Sequence, residues 1–248
     1  VPVLSGGVLT PEQIPSCIRN NKVDGLLLIG HRPLAETLQV LEGIPRVWVT
    51  SHRDEMGDVA VVGNERVGEL AADYLLDRGH KSLGFLNTMV GYPSVERRCE
   101  YFTFHAKRKG VPVQVFSPSV DGCAVAVGGL DYAALEERVA VCVDRFISAK
   151  NRPTGLFVPM DMQVAMVYRV LQKRGLTIGR KGDVELIGSD DERAALLGLT
   201  PRPATISIGA RTMGSRAVSQ LIWRIRNASV PERMRVMVEP ELILGDES

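Results

Sequence analysis

The sequence contains few cysteines, and none of them has the spacing that metal sites or disulfide frameworks require. The four cysteines, Cys17, Cys99, Cys123 and Cys142, lie far apart, and no CxxC pair occurs. This spacing argues against a zinc site and against a dense disulfide framework. Buried thiols in a reducing compartment are the simpler explanation, so we expect a cytoplasmic protein.

Long hydrophobic runs and a strong net charge are also absent. No apolar run approaches the length of a membrane span, and the first residues, VPVLSGGVLTPEQ, lack the basic and long apolar regions of a signal peptide. The formal net charge of +1 gives no overall attraction to nucleic acid or to a membrane surface. If DNA is a partner, we expect the basic element that binds it to lie outside this sequence.

Metal-binding and catalytic motifs are missing as well. The four histidines, His31, His52, His80 and His105, show neither HxH nor HExxH spacing, so we expect no metal site. No GxSxG, Walker-type or GxGxxG pattern appears, and Gly128-Gly129 alone is too weak a signal for a phosphate-binding loop. These absences predict a protein without a cofactor that is not an enzyme.

What the sequence does contain is an alternation of short apolar runs with helical patterns. The strand-like runs are 26–29, 46–50, 60–62, 82–86, 112–116, 155–159, 184–187, 205–208 and 234–244. The helical patterns are 11–22, 34–41, the segment that Asn64 could cap, 96–109, 135–149, 161–175 and 213–226, the last with Val218, Leu221, Ile222 and Ile225 on its buried face. This alternation predicts a parallel α/β fold with three layers, αβα.

Two aspartates stand at the ends of neighbouring strand-like runs. One run ends at Met160-Asp161, and the next ends in Gly-Ser-Asp-Asp, which contains Asp190. Because the carboxyl ends of parallel strands share one edge of the sheet, we expect Asp161 and Asp190 to point into one cleft. Two nearby carboxylates repel each other unless a polar or cationic group intervenes, and the hydroxyls of a sugar-like ligand or an arginine would satisfy them. The alternative is that each aspartate only caps the helix behind it.

Several stretches together resemble the effector-binding core of the LacI/GalR family of bacterial transcription regulators. They occur in family order over nearly the whole chain and include VDGLLLIG, IPRVWVT, VVGNERVGELAADYLLDRGHKSLGFL, PTGLFVPMD, GDVELIGSDD and VEPELILGDES. The stretch GARTMG is more similar to the xylose-regulator branch than to the lactose repressor. The resemblance implies two Rossmann-like lobes of the periplasmic-binding-protein type I fold, one formed by residues 1–61 and 206–237 and the other by 62–205 and 238–248.

The resemblance also implies a small sugar-like effector in the cleft between these lobes. The residues that it places at the ligand are Arg98, Asp190, Asp161, Ser94 and Met160. Arg97 competes with Arg98 for the position of the family's ligand-contacting arginine. A planar guanidinium beside carboxylates offers donors and acceptors in the fixed geometry that vicinal hydroxyls require.

The sequence departs from the family pattern at several of these positions. Met160 replaces a residue that normally forms a hydrogen bond, Gly63 replaces the aspartate of an Asp-Asn pair, Tyr101 replaces a glycine, and Ser189 stands where an aromatic residue is usual. The identity of the effector therefore does not follow from the resemblance, and neither does the choice between induction and co-repression.

Members of the family begin this core with a further strand and helix, which follow a hinge helix and a helix-turn-helix. The resemblance therefore implies a core that is N-terminally incomplete, a first lobe that is the less stable half, and DNA binding only through a helix-turn-helix outside this sequence. It also implies a homodimer, with helix 213–226 and its Trp223 or Arg224 as a candidate interface.

We expect, in short, the ligand-sensing and dimerisation core of a DNA-binding transcriptional regulator. A solute-binding protein of a sugar transport system, which would share the fold, is the first alternative. An α/β enzyme that uses Asp161 and Asp190 as an acid–base pair is the second, although no nucleophile or cofactor motif lies near them.

Overall fold

The computed structural model describes residues 3–4, 12, 14–29, 35–49, 57–118 and 132–246. Its strands are β1 (Val3–Leu4), β2 (Leu26–Ile29), β3 (Arg46–Val49), β4 (Asp58–Val62), β5 (Leu83–Leu86), β6 (Val113–Phe116), β7 (Gly155–Phe157), β8 (Glu185–Ile187), β9 (Thr205–Ser207), β10 (Arg235–Val238) and β11 (Glu241–Ile243). Its helices are α1 (Ser16–Arg19), α2 (Ala35–Val40), α3 (Asn64–Asp77), α4 (Pro93–Arg108), α5 (Tyr132–Ile147), α6 (Asp161–Lys173), α7 (Arg193–Leu196) and α8 (Ala210–Arg226). The strands fall into two compact units.

The first unit contains the described residues up to Val62 together with Ala210–Val238. Its sheet has the strand order β1-β2-β3-β4-β10, and every neighbouring pair is parallel. Successive residues of a strand point to opposite faces, so Leu26 and Leu28 pack with Trp48 on one face while Leu27 packs with Leu221 of α8 on the other. The sheet is thus covered on both faces, as the three-layer prediction requires.

A buried ion pair fixes α8 to the first unit's sheet. Asp58, the first residue of β4, accepts hydrogen bonds from Arg224 Nε and Nη2 at 2.9 and 2.7 Å and from Gln220 Nε2 at 2.6 Å. The Met234 N–H donates to the same carboxylate at 3.0 Å. Burial raises the pKa of Asp58, but the donors, led by Arg224, outweigh it and leave the pKa below its ordinary value. Arg224 is therefore used inside the unit and is not the exposed interface residue that we expected.

The second unit contains the described residues of 63–124, 131–209 and 239–248. Its main sheet has the parallel order β6-β5-β7-β8, and an antiparallel pair, β11-β9, is linked to β8 through the parallel bridge between Ile187 and Ala204. Between the sheet and helices α3 and α4, the rings of Phe85, Phe102 and Phe157 pack with centroids 5.2 to 5.9 Å apart. Helices α5 and α6 contribute to the second apolar cluster of this unit, which includes Phe146 and Leu171.

Helices α3 and α4 approach each other closely at Gly68. A Cβ atom at this position would lie 2.5 Å from the Arg98 carbonyl oxygen and 2.7 Å from the Phe102 backbone nitrogen. Only glycine allows the two helices to pack at this distance, which brings the first residue of α3 close to the side chain of Arg98.

The structure confirms the α/β alternation and corrects several local predictions. Helix α4 begins at Pro93, three residues before the start of the predicted helix 96–109, because proline is tolerated at the first position of a helix. The segment 234–244 forms two strands, and β1 and α7 were not predicted. On α8, Leu221 is buried but Val218, Ile222 and Ile225 are exposed, so their predicted burial is wrong. Asn64 is not a cap, since Gly63 occupies the N-cap of α3.

Some features named from the sequence lie outside the described residues, namely His31, His52, Cys123, Gly128-Gly129 and Pro11, the first residue of the predicted helix 11–22. Across the part of the chain that the structure does describe, no helix has both the length and the apolar character that a membrane crossing demands.

Candidate functional site

Four segments of the second unit meet at the carboxyl edge of its sheet. The side chain of Arg98 comes from α4 and that of Asn64 from α3, while Pro159 follows β7 and Ser189-Asp190 follows β8. Arg98 and Asn64 are only 4% and 3% exposed. Because β5, β7 and β8 are parallel neighbours, the loops after them necessarily emerge at this same edge.

The guanidinium of Arg98 holds these segments together. Its Nε donates to Asn64 Oδ1 at 2.9 Å, and its Nη1 lies 2.5 Å from the Pro159 carbonyl oxygen and 2.8 Å from Ser189 Oγ. Nη1 also lies 3.1 Å from Asp190 Oδ1, which makes Arg98 and Asp190 an ion pair. Arg98 and Asp190, which the family resemblance places at the ligand, are therefore in contact with each other at this edge of the sheet.

One atom of each partner in this ion pair stays open. Arg98 Nη2 donates to no residue that the structure describes, and within the same described set Asp190 Oδ2 accepts from none. Neither atom is among the buried polar atoms without a partner, so both keep accessible surface. Burial raises the pKa of Asp190, and the adjacent Arg98 charge opposes that rise. The pair thus leaves one donor group of Arg98 and one acceptor atom of Asp190 for a further partner.

The backbone after β8 has an unusual conformation. Asp190 and Asp191 have φ angles of 109° and 56°, in the region that residues other than glycine seldom adopt. The Asp190 N–H donates to the Ile206 carbonyl oxygen at 2.8 Å, which anchors the turn to β9. Strained backbone of this kind is concentrated at functional sites, where the surrounding structure holds it in place.

Asp161 has surroundings quite different from those of Asp190. Its side chain is fully buried, and its two oxygens each lie 2.8 Å from Thr205 Oγ1 while Oδ2 also accepts from the Glu192 N–H at 2.8 Å. Burial raises the pKa of Asp161 to about 7, with the Thr205 and Glu192 hydrogen bonds opposing the rise and the charges of Asp190 and Asp191 adding to it. Asp161 neither caps α6, whose N-cap is Met160, nor offers exposed surface to a ligand.

The structure gives less support for ligand contacts by the two remaining predicted residues, Ser94 and Met160. Ser94 is buried in the first turn of α4, and Met160 is half-buried with Gln163 Nε2 at 3.6 Å from its sulfur. Arg97 pairs instead with Glu65 at 3.4 Å and Glu100 at 2.5 Å, so the geometry favours Arg98 as the site arginine.

Sequence reasoning missed four residues of this region. Asn64 and Ser189 bind Arg98, and Thr205 binds Asp161. The fourth residue is Tyr92, at the N-cap of α4. Burial raises its pKa, while the charge of Arg98 lowers it and the charge of Asp190 adds to the rise. Only Asn64 carried a usable signal, as the second member of the family's Asp-Asn pair.

Among the described residues, no cluster of histidine, cysteine, aspartate or glutamate side chains could hold a metal ion.

Comparison with known proteins gives consistent matches. The model of the periplasmic binding protein-like domain matches residues 72–246. The ribose operon repressor of Escherichia coli (strain K12) is 26% identical over 234 residues, which cover 91% of this chain and 65% of the repressor. The HTH-type transcriptional repressor PurR of Haemophilus influenzae (strain PittEE) is 25% identical over 244 residues, covering 94% of this chain and 68% of that protein.

Solved structures show the same fold. The crystal structure of a LacI family transcriptional regulator from Enterococcus faecium with bound ribose superposes with a TM-score of 0.76 at 18% identity, covering 93% of this chain and 81% of that one. The chain spans 65% of the length of the ribose operon repressor, a little under two thirds. The matches confirm the family resemblance and the fold, while the assignment to the xylose-regulator branch stays a prediction. The chain belongs to the periplasmic-binding-protein-like domain family, and its relatives and structural neighbours are LacI-family regulators.

Proposed function

We propose that this chain is the effector-sensing core of a LacI-type transcriptional regulator and that it binds a small neutral polyol, such as a sugar, through Arg98 and Asp190. The observation that carries the proposal is the buried ion pair with two open atoms, Nη2 of Arg98 and Oδ2 of Asp190. The relatives are repressors, and one structural neighbour contains bound ribose.

The chemistry of the open atoms favours a diol. A vicinal pair of hydroxyls can accept a hydrogen bond from Nη2 with one oxygen and donate one to Oδ2 with the other. Hydrogen bonds to charged partners are shorter and stronger than neutral ones, so two such contacts fix both position and orientation. Asn64, Pro159 and Ser189 already bind the remaining side of the guanidinium, which holds Nη2 in place before a ligand arrives.

The charge balance favours a neutral ligand over a phosphorylated one. Asp190 compensates the charge of Arg98, and Asp191 adds a further carboxylate to the same turn. An anionic sugar phosphate would therefore find no net positive charge to attract it at these residues, whereas the binding of a neutral sugar does not depend on such a charge. An acid–base enzyme finds no support here, because Asp161 has no exposed surface for a substrate.

The regulatory part of the proposal follows the relatives. A ligand that binds one conformation of the core better than another shifts the population towards it, and the shift would reach DNA through a helix-turn-helix outside this sequence. We also propose a cytoplasmic homodimer. Arg224 is engaged by Asp58, so the candidate contact is Trp223 together with the exposed face of α8 that carries Val218, Ile222 and Ile225 at helical spacing.

The proposal is tested by ligand-dependent thermal unfolding of wild type, Asp190→Asn and Asp191→Asn. The panel contains D-ribose, D-xylose and cellobiose, with ribose 5-phosphate as the anionic comparison. A ligand at a hundredfold excess over its dissociation constant should stabilise wild type by about 2.7 kcal/mol. Asparagine tolerates a positive φ, so Asp190→Asn should keep the fold while it loses the charged acceptor and at least about tenfold in affinity, a loss of about 1.4 kcal/mol.

Asp191→Asn is the matched control, because it removes a carboxylate from the same turn without touching Arg98. It should bind the sugar nearly as well as wild type. Equal stabilisation of wild type and Asp190→Asn by the same sugar would refute the assigned contact. A clear preference for ribose 5-phosphate over ribose would refute the neutral-ligand argument.

A further inference from the structure

Asp161 is a fully buried carboxylate that the proposed ligand contacts do not use, yet it binds the turn that carries Asp190. The Glu192 N–H donates to its Oδ2 at 2.8 Å. The Thr205 hydroxyl, also fully buried, donates to the same carboxylate at 2.8 Å and accepts from the Asp191 N–H at 3.4 Å. Of the two backbone N–H groups that directly follow Asp190, that of Asp191 therefore donates to Thr205 and that of Glu192 donates to Asp161.

This turn needs external support. Asp190 and Asp191 both have positive φ angles, a conformation that L residues hold only where other contacts impose it. Gly188 contributes by leaving room for the carboxylate, since a Cβ atom there would lie 2.1 Å from Asp161 Oδ1. The contacts of Asp161 thus explain how the strained backbone persists and why Asp190 faces Arg98.

We propose that Asp161 and Thr205 are a positioning pair, which holds Asp190 in its ligand-binding conformation and couples ligand binding to the protonation of Asp161. The coupling to ligand binding rests on the proposed function, whereas the positioning of Asp190 rests on the geometry of the turn. Asp161 is a positioning residue here and not a ligand contact.

The electrostatic surroundings give the coupling its sign. The charged groups that act on Asp161 are Asp190 and Asp191, both negative. Asp190 is itself paired with Arg98, and Asp191 lies 3.9 Å from the exposed Arg193. Burial already raises the pKa of Asp161 to about 7, with the carboxylates adding to the rise. A bound neutral ligand removes more water from the turn and raises this pKa further, so the complex holds the proton more tightly. As long as Asp190 stays ionised, affinity should therefore fall as the pH rises through 7.

The structural part is tested without a ligand, by amide hydrogen exchange of wild type, Asp161→Ala, Asp161→Asn and Thr205→Val. Asp161→Ala and Thr205→Val should speed exchange at Asp191 and Glu192 by at least about tenfold, whereas the amide oxygen in Asp161→Asn still accepts from Glu192 and should restore protection. The amide of Phe85 in β5 is the internal control. Unchanged protection of the turn in Asp161→Ala would overturn the positioning role.

The coupling is tested by titrating D-ribose into wild type and Asp161→Asn at pH 6 and pH 8. Wild type should bind several-fold more weakly at pH 8, because each unit by which binding raises the pKa corresponds to about a tenfold change in affinity. Asp161→Asn cannot titrate and should show no such change. A pH dependence that survives in Asp161→Asn overturns the coupling. If ribose binds to wild type at neither pH, the neutral-sugar proposal is what fails, and the exchange data still decide the positioning role.

Discussion

Replacing Gly68 by alanine tests whether the close packing of α3 on α4 supports the site. The new Cβ atom would lie 2.5 Å from the Arg98 carbonyl oxygen, 2.7 Å from the Phe102 nitrogen and 3.1 Å from Tyr101 Cβ. Two of these atoms belong to the backbone, so no rotamer change relieves the overlap and α4 itself must move. Overpacking of this kind costs about 1–3 kcal/mol. Alanine gains about 0.5–1 kcal/mol over glycine inside a helix, so we expect a net loss of about 1 kcal/mol, with an upper limit of about 2.5 kcal/mol.

Gly214→Ala in α8 is the matched control, because among the described residues no atom outside its own stretch of α8 lies within 4 Å of its added Cβ. This variant should gain about 0.5–1 kcal/mol from helix propensity alone. Both variants would be measured by urea unfolding, and Gly68→Ala should in addition weaken sugar binding because it displaces Arg98. If Gly68→Ala is as stable as Gly214→Ala and binds normally, the two helices are not held at this distance by the glycine and the reasoning is wrong.

Two further predictions concern groups that the proposed ligand contacts do not use. Arg224→Ala leaves the Asp58 carboxylate buried without its ion-pair partner and should lower the free energy of unfolding by about 3–5 kcal/mol at pH 7. Because Asp58 has a lowered pKa in the fold, the loss of stability caused by Arg224→Ala should be fully present above about pH 4 and should become smaller as the pH falls further. Urea unfolding at several pH values would show this. Burial raises the pKa of Cys99 to about 11, so about one thiol in a thousand is ionised at pH 8. In mass spectrometry after iodoacetamide treatment at pH 8, Cys99 should be labelled more slowly in the folded protein than after unfolding in urea, and equal rates would contradict this account.

The strands could be predicted because parallel strands buried on both faces are continuous apolar runs. Leu83–Leu86 is buried at every position, and its sequence shows this directly. The buried face of α8 could not be predicted in the same way. Apolar residues occupy more than one side of this helix, and the pattern alone did not distinguish Leu221, which is buried, from Val218 and Ile222, which are exposed.

The contacts of the site could also be predicted only in part. The meeting of Arg98 and Asp190 followed from the family motif together with the rule that parallel strands end at a common edge. The partners of these residues did not follow, because each comes from a remote part of the chain: Asn64 is 34 positions from Arg98, and Thr205 is 44 positions from Asp161. A strand-end aspartate can turn towards a ligand or into the protein, and only the position of Thr205 decides this for Asp161.

The short link between β10 and β11 has a mechanical consequence. The first strand pairs with β4 in one compact unit and the second with β9 in the other, and only Glu239 and Pro240 separate them. Three residue steps span at most roughly 10 Å of extended chain. A slip of β10 along β4 by one residue, roughly 3.3 Å, equals about a third of that length. The link is therefore a short covalent tether between β10 and β11.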